Sequence, residues 1–197
     1  MNDGMTAAAA PGYPLRYDVE YPEELSRWLI FVKWLLAIPH FIILYLLLIA
    51  TIVVTFIAFF AILFTKRYPR GLFDFVVNVD RWSANVMAYL MLFRDEYPPF
   101  SWEPDEYAVT YEVDYPEELN RWLPLIKWLL AIPHIIVLLF LFIAVYFVYI
   151  IAFFAILFTK RFPRGLFDFT VGIHRWNYRV SVYTGLLRDE YPPFSLR

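Results

Sequence analysis

The sequence predicts an all-α membrane protein built from two tandem copies of one helical unit, and three observations lead there. Of its 197 residues, 61% are hydrophobic and 21% aromatic, with a mean hydropathy of +0.53. A water-soluble fold of that composition would have too little polar surface to cover itself. The run Trp34 to Thr65 contains no Lys, Arg, Asp or Glu, and the run Trp128 to Thr159 repeats it. Finally, the chain aligns with itself at one register, Tyr21 on Tyr115, Trp28 on Trp122, Pro39 on Pro133, Lys66 on Lys160 and Arg94 on Arg188, each pair 94 residues apart. From Tyr17–Ser101 to Tyr111–Ser195 that register never slips, and roughly two thirds of the positions are identical, the mark of a duplication.

Residues 1–16 lack the basic and apolar regions of a secretory signal and read as a disordered tail. The first repeat covers 17–101, a Pro-bearing acidic linker 102–110, and the second repeat 111–197. Each repeat opens with a helix predicted from Pro22 (Pro116). A proline at the first helical position loses no bond it would have made, and Glu23 and Glu24 meet the positive helix end. Leu25, Trp28, Leu29, Val32, Leu35 and Leu36 share one face while Glu23, Ser26 and Lys33 take another, so this helix is amphipathic and suits the headgroup region.

The charge-free run follows. Thirty-two helical residues would extend about 48 Å against a hydrocarbon core of about 30 Å, so one straight vertical helix is too long. Pro39 (Pro133) frees the carbonyl of Leu35 and bends the path, leaving His40 to Phe64 (His134 to Phe158) as the transmembrane span. Then come the basic loops 66–71 and 160–165. Their Lys66, Arg67, Arg70, Lys160, Arg161 and Arg164 suit anionic headgroups and the cytoplasmic side.

The third helix, Leu72 to Phe93, is long enough to cross back and carries a narrow polar stripe of Asp74, Asn78, Arg81 and Asn85. Buried stripe-inward, it gives four spans and parallel repeats; lying flat, it gives two spans and inverted repeats. Four is the favoured count. The second copy places Asp168, Gly172, Arg175 and Arg179 on the stripe, and His174, Asn177, Ser181 and Thr184 add polarity around it.

Candidate sites follow from what both copies kept. Buried ionisable groups in membranes are usually paired, which predicts cross-repeat pairs of Asp74 with Arg175 and of Asp168 with Arg81. The plainer alternative joins each Asp to its own helix start and basic loop. His40 and His134 stand beside the proline bends, where a freed carbonyl satisfies them without a haem or metal, so no cofactor is expected. R-D-E-Y-P-P-F-S, at Arg94–Ser101 and Arg188–Ser195, reads as a cap or as a docking surface.

Zero cysteines exclude disulfides and thiolate chemistry. A net charge of -2 excludes the basic field that nucleic-acid binding needs. No nucleotide-binding, zinc-protease or serine-hydrolase motif occurs, so the chain is expected not to be an enzyme.

The motifs W-L-L-A-I-P-H, F-F-A-I-L-F-T-K-R-Y-P-R-G-L-F-D-F and R-D-E-Y-P-P-F-S, present twice, resemble the DUF4389 family of bacterial membrane proteins, a domain of unknown function. The resemblance implies a bacterial membrane protein and transfers no catalytic residue. The second copy departs from the first at Pro124, Gly172 and Gly185. The expected role is a multi-pass scaffold or accessory subunit of the bacterial inner membrane, contacting lipids and a protein partner or a second copy of itself. The alternative is a small transporter or channel with a polar path along Asp74, Arg81, Asp168 and Arg175.

Overall fold

The computed structural model describes residues 12–103 and 108–197. The predicted tail up to residue 11 and the middle of the linker lie outside those residues. Among the described residues two strands and six helices run in chain order: β1 (Leu15–Val19), α1 (Leu29–Leu36), α2 (Ile38–Thr65), α3 (Arg70–Leu90), β2 (Val109–Val113), α4 (Leu123–Leu130), α5 (Ile132–Thr159) and α6 (Arg164–Thr184). Within each repeat the two consecutive helices form one long arm, α1–α2 or α4–α5, and a tight basic turn leads into α3 or α6, which packs back against the arm.

The chain is mostly helical but not all-α. Leu15 and Arg16, assigned to the tail, open β1, and Val109 and Thr110, assigned to the linker, open β2. Both strands alternate buried and exposed residues, the period-2 pattern of a ribbon covered on one face. They pair antiparallel with Tyr17 opposite Tyr111. Those tyrosines are equivalent positions of the two repeats, so a pseudo-two-fold axis passes between them.

The ribbon packs reciprocally: β1 of the first repeat lies on α6 of the second, and β2 of the second lies on α3 of the first. Arg175 donates to the Tyr17 carbonyl at 2.8 Å and pairs with Asp18 at 3.0 Å; Arg81 donates to the Tyr111 carbonyl at 3.0 Å. The segments after the strands exchange too. The Leu25 amide donates to the Lys160 carbonyl and the Leu119 amide to the Lys66 carbonyl, both at 2.8 Å. Tyr21 and Tyr115 donate to the Phe162 and Tyr68 carbonyls. Lys66 and Lys160 end their helices in the left-handed conformation, with φ of 58° and 61°, which side chains adopt at a cost near 1 kcal/mol.

This exchange corrects the predicted helix start. Pro22 to Leu25 are not helical, and α1 begins at Leu29. Two amides that would open a helix at Pro22 are used elsewhere, Leu25 on Lys160 and Ser26 on the Asp95 carboxylate, while the Ser26 hydroxyl accepts the Leu29 amide. The elbow falls where proline placed it, at Ala37 and Ala131 between the paired helices. The carbonyl that finds a new donor there is Leu36 rather than Leu35, accepting from the Tyr97 hydroxyl at 3.0 Å, as Leu130 accepts from Tyr191 at 3.1 Å.

Two helices are long and apolar enough to cross a membrane among the described residues, Ile38–Thr65 and the arm Leu123–Thr159. Four spans are not shown. Large apolar side chains are exposed all along the arms, from Trp28 to Phe64 and from Trp122 to Phe158, and none is exposed on α3, α6 or the ribbon. The arginines of the stripe that suggested a membrane-buried return helix are instead covered by the strand of the other repeat, and its aspartates are exposed.

The register makes a direct check. Arg16 and Glu112 are directly opposed and exposed, and directly opposed strand residues bring their Cβ atoms within reach of a disulfide. The Arg16→Cys/Glu112→Cys variant will therefore oxidise to an intramolecular bridge, seen as a mobility shift reversed by reductant. An Arg16→Cys/Asp114→Cys pair, one step off register along the same face, will cross-link far less; equal cross-linking would refute the register.

Candidate functional site

The motifs that both repeats kept converge on the elbow of each arm. Lys33 is almost fully buried, yet its ammonium pairs with Asp95 at 2.8 Å, donates to the Arg94 carbonyl at 2.6 Å and lies over the Tyr89 ring. Lys127 repeats this with Asp189 at 2.9 Å, the Arg188 carbonyl at 2.7 Å and the Tyr183 ring. Burial pulls the Lys33 ammonium below the ordinary lysine value, and the hydrogen bond and charge of Asp95 oppose it. The second oxygen of each carboxylate accepts the amide of Ser26 or Asn120 at 2.5 and 2.6 Å. One aspartate thus clasps the start of the arm, its buried lysine and the end of the return helix.

The histidines belong to the same clasp. Trp82 donates to His40 Nδ1 and Trp176 to His134 Nδ1, each at 3.1 Å, and the imidazoles stack on Phe100 and Phe194 at 4.0 and 3.9 Å. The elbow carbonyl that gains a new donor, Leu36 or Leu130, takes it from tyrosine and not from histidine. An Nδ1 that accepts a hydrogen bond leaves the proton on Nε2, so neither ring nitrogen offers a lone pair to a metal. R-D-E-Y-P-P-F-S is therefore a latch: its Asp meets the lysine, its Tyr caps the elbow carbonyl and its Phe covers the histidine.

The predicted cross-repeat pairs do not form. Asp74 is bridged by Arg70 at 3.0 Å and Asp168 by Arg164 at 3.2 Å, each one turn away and exposed, as the plainer alternative had it. Arg81 and Arg175 do reach across to the other repeat, but to strand backbone and Asp18. The reason is spacing: the Asp lies two turns before its Arg on the same helix, so the strand that covers the arginine does not cover the aspartate. These four residues line no common path.

The basic loops are also tied into the exchange. Lys66 pairs with Glu118 at 2.7 Å and Lys160 with Glu24 at 3.5 Å, while Arg70 and Arg164 lie over the Tyr115 and Tyr21 rings. Arg67 and Arg161 are exposed and carry no ion pair among the described residues.

One polar position, Asp80, escaped the sequence reading, and three that it noted, His174, Asn85 and Arg179, have partners it did not foresee. Asp80, at the centre of α3, accepts from the Tyr111 hydroxyl at 3.2 Å, and burial raises its carboxyl to about 7. Its equivalent is His174, bonded to the Tyr149 hydroxyl at 2.8 Å and lowered to about 4 by burial. Asn85 accepts the Val109 amide of β2 at 3.0 Å; its equivalent Arg179 is fully buried, donates among the described residues to the Ser195 carbonyl at 3.4 Å and lies against Tyr13. No repeat comparison could have marked Asp80 or Arg179, because both stand where the copies differ.

The chain belongs to the family described as Domain of unknown function (DUF4389), whose model matches residues 27–101 and 122–195. No curated protein and no solved structure matches the chain. The matched ranges contain the side chains of each clasp, Lys33 with Asp95 and His40 with Trp82 and Phe100, and likewise in the second copy, while the Ser26 and Asn120 amides that meet the aspartates fall just before them. The strands and the Y-P-E-E-L segments, which cross to the other repeat, precede the matched ranges.

Two predictions follow from these environments. Asp95→Asn leaves a buried ammonium without its counter-charge and will destabilise the detergent-solubilised protein by about 3 kcal/mol, with Asp189→Asn alike. Lys33→Met combined with Asp95→Asn will recover part of that loss in thermal unfolding, and a double variant as unstable as the sum of the singles would refute the clasp. Asp80 is raised on folding, so the folded state holds its proton where the unfolded chain has lost it. Its contribution to stability therefore falls as pH rises from about 4 to about 7. His174, kept neutral down to about 4, acts in the opposite sense, so the comparison with Asp80→Asn isolates the aspartate. That variant will gain stability relative to the parent as pH rises through this window, and parallel curves would sink the assignment.

Proposed function

We propose that this protein is a membrane-embedded, non-enzymatic scaffold or accessory subunit, held in the bacterial inner membrane by its two arms, with the basic loops 66–71 and 160–165 on the cytoplasmic side. The observation that carries the reading is the division of labour among its side chains. Nearly every residue with chemical potential that both repeats kept is consumed by contacts that hold the repeats in shape: Lys33, Asp95, His40, Arg81 and their equivalents. What remains for an outside partner is a broad apolar surface on the arms and a polar face on the ribbon.

Exposed apolar area on that scale is covered by lipid or by another protein. Trp28, Trp34, Trp122 and Trp128, all exposed on the arms, suit the headgroup boundary. Exposed Arg67 and Arg161 suit anionic lipid. Against the alternative of a small transporter stands the separation of Asp74, Arg81, Asp168 and Arg175, which gives a substrate no continuous polar route.

Two measurements test this. The protein will stay in the membrane pellet through high-salt and alkaline carbonate washes, and release by carbonate alone would rule out embedding. Solubilised in mild detergent and purified at native expression, it will elute with a partner in fixed stoichiometry. Elution alone, together with ion flux in proteoliposomes above that of empty vesicles, would move the assignment to transport.

A further inference from the structure

The ribbon and the arms constrain how the molecule meets a bilayer. Tyr17 and Tyr111 lie on the pseudo-two-fold axis, and Tyr111 bonds Asp80, the middle residue of α3 (Arg70–Leu90). Tyr149, one turn from the middle of α5 (Ile132–Thr159), bonds His174, the middle residue of α6 (Arg164–Thr184). The ribbon is therefore level with the middles of the long helices. The same axis exchanges the two ends of the assembly, since Lys66 meets Leu119 at one and Lys160 meets Leu25 at the other.

Two orientations are open to such a body. If α2 and α5 crossed the bilayer in opposite directions, the axis would lie in the midplane. Arg16, Asp18, Glu112 and Asp114, with side chains 56%, 46%, 48% and 57% exposed, would then sit near that depth facing hydrocarbon. A charge at mid-membrane costs about 2.5–3.5 kcal/mol. The two basic loops would also lie on opposite sides, against the bias of such loops to stay cytoplasmic. Each 28-residue helix, near 42 Å long, would overrun a core of about 30 Å.

Turning the molecule by a right angle removes all three conflicts. The axis then runs along the membrane normal. The arms, which carry the exposed apolar side chains, lie in the acyl region. The α3 and α6 helices form the next layer, and the charged ribbon faces water. Both basic loops and all four exposed arm tryptophans reach the headgroups of one leaflet.

We propose that the two arms lie along a single leaflet instead of crossing it, with the ribbon in water on the same side as both basic loops. This rests on the membrane reading above and goes beyond it, because it fixes the partner surface as one lipid leaflet. The chain has no cysteine, so single substitutions report cleanly in the full-length protein. Arg16→Cys, Arg67→Cys and Arg161→Cys, treated with a membrane-impermeant maleimide in intact spheroplasts and in inside-out vesicles, will all react from one and the same side. Reaction of Arg67→Cys and Arg161→Cys from opposite sides overturns the proposal in favour of crossing arms; reaction of Arg16→Cys from the side opposite the loops overturns it in favour of four crossings.

Should Arg16→Cys disturb the ribbon, Glu112→Cys reports the same face. A second readout places a fluorophore at Tyr45→Cys, Ile52→Cys or Phe60→Cys and measures its depth by quenching with nitroxide lipids. Arms along the leaflet put the three at depths within a helix diameter, without trend along the sequence. Crossing arms separate neighbouring positions by about 11 Å in monotonic order. Loss of the membrane reading itself looks different, because the protein would then leave the pellet in carbonate before any label is applied.

Discussion

The structure depends on a reciprocal exchange: each repeat places its leading strand and Y-P-E-E-L segment on the other repeat. Strand backbone left alone on a helix surface would bury unpaired amides and carbonyls, an expense of the order of a lost hydrogen bond each. Pairing β1 with β2 satisfies one edge, and Arg81, Arg175 and Asn85 satisfy part of the other from the helices below. Removing either repeat would strip the other of its ribbon partner and of the contacts that close its basic turn. Neither half is therefore a complete folding unit, although the family match covers a clasped arm and return helix within each.

Within a repeat, the clasp solves a second problem. An arm that is almost wholly apolar and a return helix with a polar stripe need a specific tie to stay together. A buried lysine is an expensive tie, and one that holds only when its partner is present. Lys33 on Asp95 and Lys127 on Asp189 place that dependence at the elbow, where Tyr97 and Tyr191 cap the interrupted helix and His40 and His134 stack on the latch. The arm is thus fixed at one end by polar contacts and left apolar over the rest of its length.

The arms, their elbows and the duplication were legible in the sequence because each rests on a property summed over many residues or fixed by one proline. The helix start was not, since Pro22, Glu23 and Glu24 make a good helix opening and lose only to carbonyl and carboxylate partners more than sixty residues away in sequence. The strands L-R-Y-D-V and V-T-Y-E-V do carry the period-2 alternation, but they are short and sit where a tail and a linker were expected, with nothing local to say they find each other. Asp74 and Asp168 lie exposed, and for Arg81 and Arg175 periodicity gave the face of the helix. It could not give the partner, because what covers that face is contributed by the other repeat.

Some differences between the copies stand beside the axis, and that placement has a physical sense. In a symmetric pair of identical chains a residue beside the axis is present twice, so a buried carboxylate brings a second one with it. Joining the copies in one chain lifts that condition. Asp80 faces Tyr111 without a second carboxylate because its equivalent is His174, which turns to Tyr149. Likewise, a Cβ at Gly172 would come within 2.7 Å of the Leu196 carbonyl oxygen, so the last residues lie close over α6 only because the asparagine of the first copy, Asn78, has no counterpart there. Asn78 instead accepts from Arg81 at 2.6 Å, which helps aim that guanidinium at β2; Arg175, without such a neighbour, is aimed by Asp18 and the Leu196 carbonyl. The same arginine is thus held in the same role by different partners, and it is the role that duplication preserved.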